Sequence, residues 1–199
     1  TGYMGMALPS VPVLKIRAVT HRQNPILQTI VGPGEEHGHL SGIPTEASII
    51  RLLEDSMPRR VTNVFVHPSG GGKLLAVLQV DKSAPLHEGL QRQAALITLT
   101  AYSELKHVIL VDTDVDLFDS SDILWALTTR YQGDASTIFI PGVRSHLLDP
   151  SQTPEYSPSI ISKGLTCKTI FDCTVPFKLK ERFKRSPFKE VDWERFLGN

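Results

Sequence analysis

The sequence predicts an α/β domain organised on a mixed sheet, and three observations carry that expectation. Short apolar runs at 61–66, 74–80 and 108–111 are separated by stretches with helical periodicity. The run 108–111 is apolar throughout, as in a strand buried on both faces in a parallel pairing. Composition is that of an ordinary globular chain, with 199 residues, 41% hydrophobic and 21% charged, enough for a core of its own.

The elements follow in order. Residues 11–19 alternate Leu14, Ile16 and Ala18 with Lys15 and Arg17, the pattern of a half-exposed strand. A second strand at 26–31 follows the polar turn 21–25, so the two are expected to form a hairpin or two strands of a barrel. The density of Gly and Pro in 32–39 predicts a shaped loop that breaks regular structure. Thr45 and Glu46 then open a helix whose face carries Ala47, Ile49, Ile50, Leu52 and Leu53, ending near Pro58.

Strands at 61–66 and 74–80 are expected to flank a mobile loop, and Pro85 suits the first turn of a helix running to Ser103. Asp119, with Asp122 three residues on, caps a helix faced by Ile123, Leu124, Ala126 and Leu127. Residues 137–140 form another candidate strand. Beyond Pro141, the prolines at 150, 154, 158, 176 and 187 and the weak periodicity predict an irregular segment wrapped over a finished core. The mixed charges of 178–195 predict a solvated helix.

Lys+Arg and Asp+Glu both total 21, so no net field recruits nucleic acid or an anionic membrane. No apolar run reaches the ~20 residues of a spanning helix, and no basic, then apolar leader opens the chain. A soluble cytoplasmic protein is expected, with Cys167 and Cys173 as reduced thiols.

Lys73 follows Gly70-Gly71-Gly72, but Leu74 stands where a phosphate loop needs Ser or Thr, and a strand follows rather than a helix. What survives is a backbone able to approach a ligand beside a compact positive charge, or a hairpin with a solvated lysine. Asp112, Asp114 and Asp116 at the end of 108–111 leave open a DxD metal-dependent transferase. Glu35, Glu36, His37 and His39 crowd one loop and read either as acid/base or metal groups or as a solvated turn. The histidines at 21, 67, 87, 107 and 146 are scattered without matched partners and read as surface or satisfied residues.

Several segments nevertheless occur together and in order: Gly32-Pro33-Gly34-Glu35-Glu36-His37, Gly42-Ile43-Pro44-Thr45-Glu46-Ala47-Ser48-Ile49, Gly70-Gly71-Gly72-Lys73 and Val111-Asp112-Thr113-Asp114-Val115-Asp116. So do Asp122 through Arg130, Leu148-Asp149-Pro150-Ser151-Gln152 and Cys167-Lys168-Thr169-Ile170-Phe171-Asp172. Together they make the chain resemble the UbiD family of decarboxylases, most closely the C-terminal portion of its gallate and protocatechuate branch.

The resemblance implies a three-layer α/β/α sandwich with a mixed sheet. Residues 1–39 would be the last strands of a flavin-binding split barrel, 40–145 the α/β core and 146–199 an irregular and helical tail. It implies non-oxidative decarboxylation of an aromatic carboxylic acid with prenylated FMN as electron sink, manganese and potassium accompanying the flavin. The catalytic glutamate, the metal ligands and the potassium ligands would all lie in preceding sequence, so the chain alone is expected to be inactive. Three residues carry over: His37 and Lys73 toward ring hydroxyls, and Lys168 toward the flavin phosphate. The aspartate series becomes structural on this reading. A homo-oligomer is implied, and a non-enzymatic oligomerisation or assembly module stands as the alternative.

Overall fold

A computed structural model describes residues 2–3, 10–187, 191 and 194–197. Five strands, β1 Val61–Val66, β2 Leu75–Val80, β3 His107–Asp112, β4 Thr137–Arg144 and β5 Leu165–Asp172, form one sheet in the order β1-β2-β3-β5-β4. β2, β3 and β5 run parallel at the centre, and β1 and β4 close the two edges antiparallel. The mixed sheet expected from the sequence is therefore present.

Helices α1 Glu35–Ser56 and α2 Leu90–Ala101 cover one face, and α3 Ser120–Thr129 covers the other. The strand period of two sorts the core: Ala76, Leu78 and Val80 of β2 join Ile49, Leu53, Ala94 and Leu99, while Val77 joins Ile123 and Ala126. Asp119 caps α3 as expected, its Oδ1 accepting from the Ser121 N–H at 2.8 Å. Among the described residues no helix is long and apolar enough to cross a membrane.

The structure corrects several expectations. Residues 11–19 and 26–31 form no strands, and every residue from 10 to 37 is exposed, Val13 at 93% and Leu27 at 88%. Two short strands bury too little apolar surface to persist without a larger sheet beside them, and neither run joins the five-stranded sheet. The break expected at 32–39 is shorter than that, because α1 already begins at Glu35, where Glu35 and Glu36 suit the positive end of the helix dipole. Pro44, expected just outside a helix, lies inside α1. The loop at 67–73 contains a 3-10 helix at Pro68–Gly70 capped by His67.

The helix from Pro85 is divided into a 3-10 turn, Pro85–His87, and α2, because Gly89 between them takes a left-handed conformation, φ 95°. The segment beyond Pro141 is not wholly irregular, since it extends β4 to Arg144 and supplies β5, an inner strand of the sheet. The basic tail is only partly a helix. Phe177–Phe183 is 3-10, α4 spans Glu194–Leu197, and the expected helix at residues 188–190 and 192–193 lies outside the described residues.

Candidate functional site

The first turns of α1 and the glycine loop after β1 meet backbone to backbone. Gly72, at φ 67°, lies so close to Gly38 that a Cβ there would overlap the Gly38 carbonyl oxygen. Gly38 in turn rests on Pro68, 3.4 Å from where its own Cβ would stand. Two residues expected to bind substrate, His37 and Lys73, therefore flank one contact between Gly38 and Gly72. The His37 imidazole lies over Gly32, where an added Cβ would come within 2.8 Å of Nδ1. Glu46 fixes the other end of this junction by accepting the Val66 N–H at 2.8 Å, which ties α1 to the end of β1.

From the loop the Lys73 side chain runs to the turn between α2 and β3, where its Nζ lies 3.2 Å from Glu104 Oε2. Glu104 Oε1 faces His146 Nε2 at 3.5 Å. Because His146 Nδ1 accepts the Leu148 N–H at 3.1 Å, the ring proton of a neutral imidazole sits on Nε2, toward the carboxylate. His146 thus has a partner that the sequence did not reveal. Glu104 was not anticipated either, since a lone acid in a five-residue connection carries no motif.

Lys168 stands apart from the other two. It is a buried β5 residue, and its ammonium donates to the carbonyls of Leu99 at 3.0 Å, Ser103 at 3.1 Å and Tyr102 at 3.4 Å. Those are carbonyls at the C-terminal end of α2, so the side chain acts as an internal cap. Burial pushes its pKa down to about 8. An ammonium committed to three carbonyls does not fit the phosphate contact expected of it.

The aspartates at the end of β3 are held by one arginine. Arg130 Nη1 lies 2.8 Å from Asp114 Oδ1, Nη2 lies 2.6 Å from Asp114 Oδ2, and Nη1 also reaches Asp112 Oδ2 at 3.2 Å. Asp116 Oδ1 instead accepts from Phe118 N, and the Asp116 N–H donates to Asp122. Among the described residues no group of three or more His, Cys, Asp or Glu side chains is arranged to hold a metal ion. Arg185 closes the same cleft from the tail, pairing with Asp122 at 2.8 Å and stacking over Trp125 at 4.0 Å. The expected solvated face is thus partly a clasp.

The Leu148–Gln152 segment is also structural. Asp149 pairs with Lys106 at 2.8 Å, and Gln152 accepts from Gly164 N and donates to His146 O, which pins the loop that carries His146.

A domain of this topology, with its polar junction at the start of α1, has recognisable relatives. Residues 38–173 match the 3-octaprenyl-4-hydroxybenzoate carboxy-lyase C-terminal domain, and the chain belongs to that family, the UbiD family of the sequence resemblance. It is 50% identical over 198 residues to gallate decarboxylase of Lactiplantibacillus plantarum, covering 98% of this chain and 40% of that protein. The apo 3,4-dihydroxybenzoic acid decarboxylase (AroY) of Klebsiella pneumoniae superposes with a TM-score of 0.84 at 62% identity, over 88% of this chain and 36% of that one. The UbiD-class enzyme HmfF of Pelotomaculum thermopropionicum, solved with FMN, gives 0.75 at 32% identity, over 87% and 36%. The chain thus spans about two-fifths of the length of gallate decarboxylase.

Proposed function

We propose that this chain is the C-terminal part of a non-oxidative aromatic-acid decarboxylase, and that its own contribution is to recognise the hydroxyl groups of a hydroxybenzoate such as gallate or protocatechuate. The observation that carries this reading is the Gly38–Gly72 contact, which puts an imidazole and an ammonium on two adjoining segments. The likeness to gallate decarboxylase and to dihydroxybenzoate decarboxylases supports the substrate class. Prenylated FMN, with manganese and potassium, would supply the electron sink from the remainder of the protein. Lys168 is left with its capping role.

Hydrogen-bond donors aimed at a ring hydroxyl orient the ring and favour phenolate character as negative charge develops on it. A site built to bond a hydroxyl discriminates strongly against a ring that lacks it, because its own polar groups are then left unpaired. The test is to make His37→Ala and Lys73→Met in the whole enzyme and compare a dihydroxy with a monohydroxy acid. Loss of kcat/KM should be larger for the dihydroxy acid. Equal losses on both would remove the recognition role. The chain by itself is expected to be inactive, and the whole enzyme to be a homo-oligomer.

The assembly-module and DxD-transferase alternatives are not favoured. The family match argues against both, and Arg130 occupies the Asp114 carboxylate that a metal would need.

A further inference from the structure

We infer that Glu104 is a positioning residue for Lys73, setting how strongly the enzyme prefers substrates with an additional ring hydroxyl. The inference rests on the assignment of Lys73 to hydroxyl recognition.

An exposed lysine on a glycine loop is a poor recognition element, because a flexible four-carbon stem loses ~2 kcal/mol of rotamer freedom when it is fixed. Lys73 is not left loose in this way. Among the described residues its charged partner is Glu104, at 3.2 Å, with the two side chains 36% and 52% exposed. A pair that exposed adds little to folding stability. Its consequence is directional: one N–H of the ammonium is held by the carboxylate, leaving two to donate elsewhere.

Glu104 can direct Lys73 because its own position is fixed on several sides. The turn before β3 is held by the Lys168 ammonium on the Tyr102 and Ser103 carbonyls, by Ser145 Oγ donating to Glu104 O at 3.3 Å, and by Leu105, which is 1% exposed. The carboxylate divides its oxygens, with Oε2 toward Lys73 and Oε1 toward His146. Lys73, Glu104, Thr45, Tyr102 and Ser103 line one cavity of about 180 Å³, so the pair borders an open space rather than a packed surface. The buried cap at Lys168 is in this way coupled to a side chain at the surface through two residues of backbone.

The experiment is a double-mutant cycle in the whole enzyme loaded with prenylated FMN, measuring kcat and KM on 3,4-dihydroxybenzoate and 4-hydroxybenzoate. Glu104→Gln should raise KM for the dihydroxy acid about five- to tenfold, a coupling typical of residues in contact, with a smaller effect on kcat and on the monohydroxy acid. Glu104→Asp should recover part of that loss. Adding Glu104→Gln to Lys73→Met should cost nothing further. If Lys73→Met discriminates between the acids and Glu104→Gln does not, or if the two losses add, the positioning role is overturned while hydroxyl recognition stands. If Lys73→Met affects both acids equally, the recognition reading itself fails, and this inference falls with it. Unchanged thermal unfolding of Glu104→Gln would show that these effects are not damage to the fold.

Discussion

Arg130 grips Asp114 with both terminal nitrogens, at 2.8 and 2.6 Å, and the same guanidinium is the hydrogen-bonded counter-charge of buried Asp112, with Lys82 and Lys180 acting at longer range. The Arg130 side chain is 2% exposed, so removing it strands a carboxylate inside the protein. Arg130→Met is expected to cost about 3–5 kcal/mol, and Arg130→Lys most of that, because an ammonium cannot fork across two oxygens. Urea unfolding measures both. A loss below ~1 kcal/mol for Arg130→Met would mean that Asp112 is not an uncompensated charge in the variant.

The same pair gives a pH dependence whose sign follows from Asp114. Hydrogen bonds from Arg130 hold the Asp114 carboxyl below its ordinary range despite the opposing effect of burial. Its stabilising contribution is therefore full above the unfolded value of about 3.9 and is lost as pH falls through the depressed one. Asp112 acts in the opposite sense, since burial raises it and favours the folded state at lower pH. Asp114→Asn should flatten the acid limb of the urea midpoint between pH 5 and 2. A variant as acid-sensitive as the parent would show that Asp114 does not carry this limb.

Lys168 predicts a slope at the alkaline end. With a folded value near 8 and an unfolded one of ~10.4, the unfolded chain binds more protons between these limits, so this residue makes stability rise with pH across that window. Lys168→Met leaves three carbonyls without their donor and is expected to cost about 1–3 kcal/mol at pH 7. The stability difference between parent and variant should widen from pH 8 to 10. A constant difference would contradict the lowered value, and a parallel loss of flavin affinity in the whole enzyme would restore the phosphate role.

Much of the sheet was legible because β2 and β3 announce themselves as apolar runs whose pairing needs no distant information. β5 was not, and its residues say why. Thr166, Lys168, Thr169 and Asp172 are polar yet buried, and two of them are satisfied by groups far away in sequence: the α2 carbonyls for Lys168, and Gln91 and Arg92 for Asp172. A strand whose polar positions are paid for by tertiary contacts looks irregular in one dimension. The start of α1 carried a readable signal in Glu35 and Glu36, outweighed by the surrounding glycines and by Pro44. At the site, His37 and Lys73 came from family resemblance. Glu104 and the Lys168 cap had no local signature, since both act through residues brought near by the sheet.

Residues 10–31 expose Val13, Leu14, Ile16, Ile26 and Leu27, and none of the stretch is buried. Side chains this exposed add little to the core, so a chain in which Val13, Leu14, Ile16, Ile26 and Leu27 are replaced by Ser should unfold within about 2 °C of the parent. It should also bind less of a hydrophobic dye and associate less, because an apolar extended segment is a template for pairing. Calorimetry and dye fluorescence on both chains decide this. A fall of more than about 5 °C would place the segment in the folded core.

Gly72 tests the junction on which the functional reading depends. At φ 67° an alanine is strained whatever the space, and here its methyl would also strike the Gly38 carbonyl. The backbone cannot absorb both costs in place, so Gly72→Ala should either destabilise the protein by about 1–3 kcal/mol or swing the loop away from α1. Gly89 is the control, since its φ of 95° carries the same conformational strain but a Cβ there meets nothing within 4 Å. Comparable stability losses with activity on a dihydroxy acid lost only at Gly72 would show that the position of the loop, rather than the strain, supports catalysis. Equal activity losses in the whole enzyme would show that the Gly38–Gly72 contact has no special part in the site.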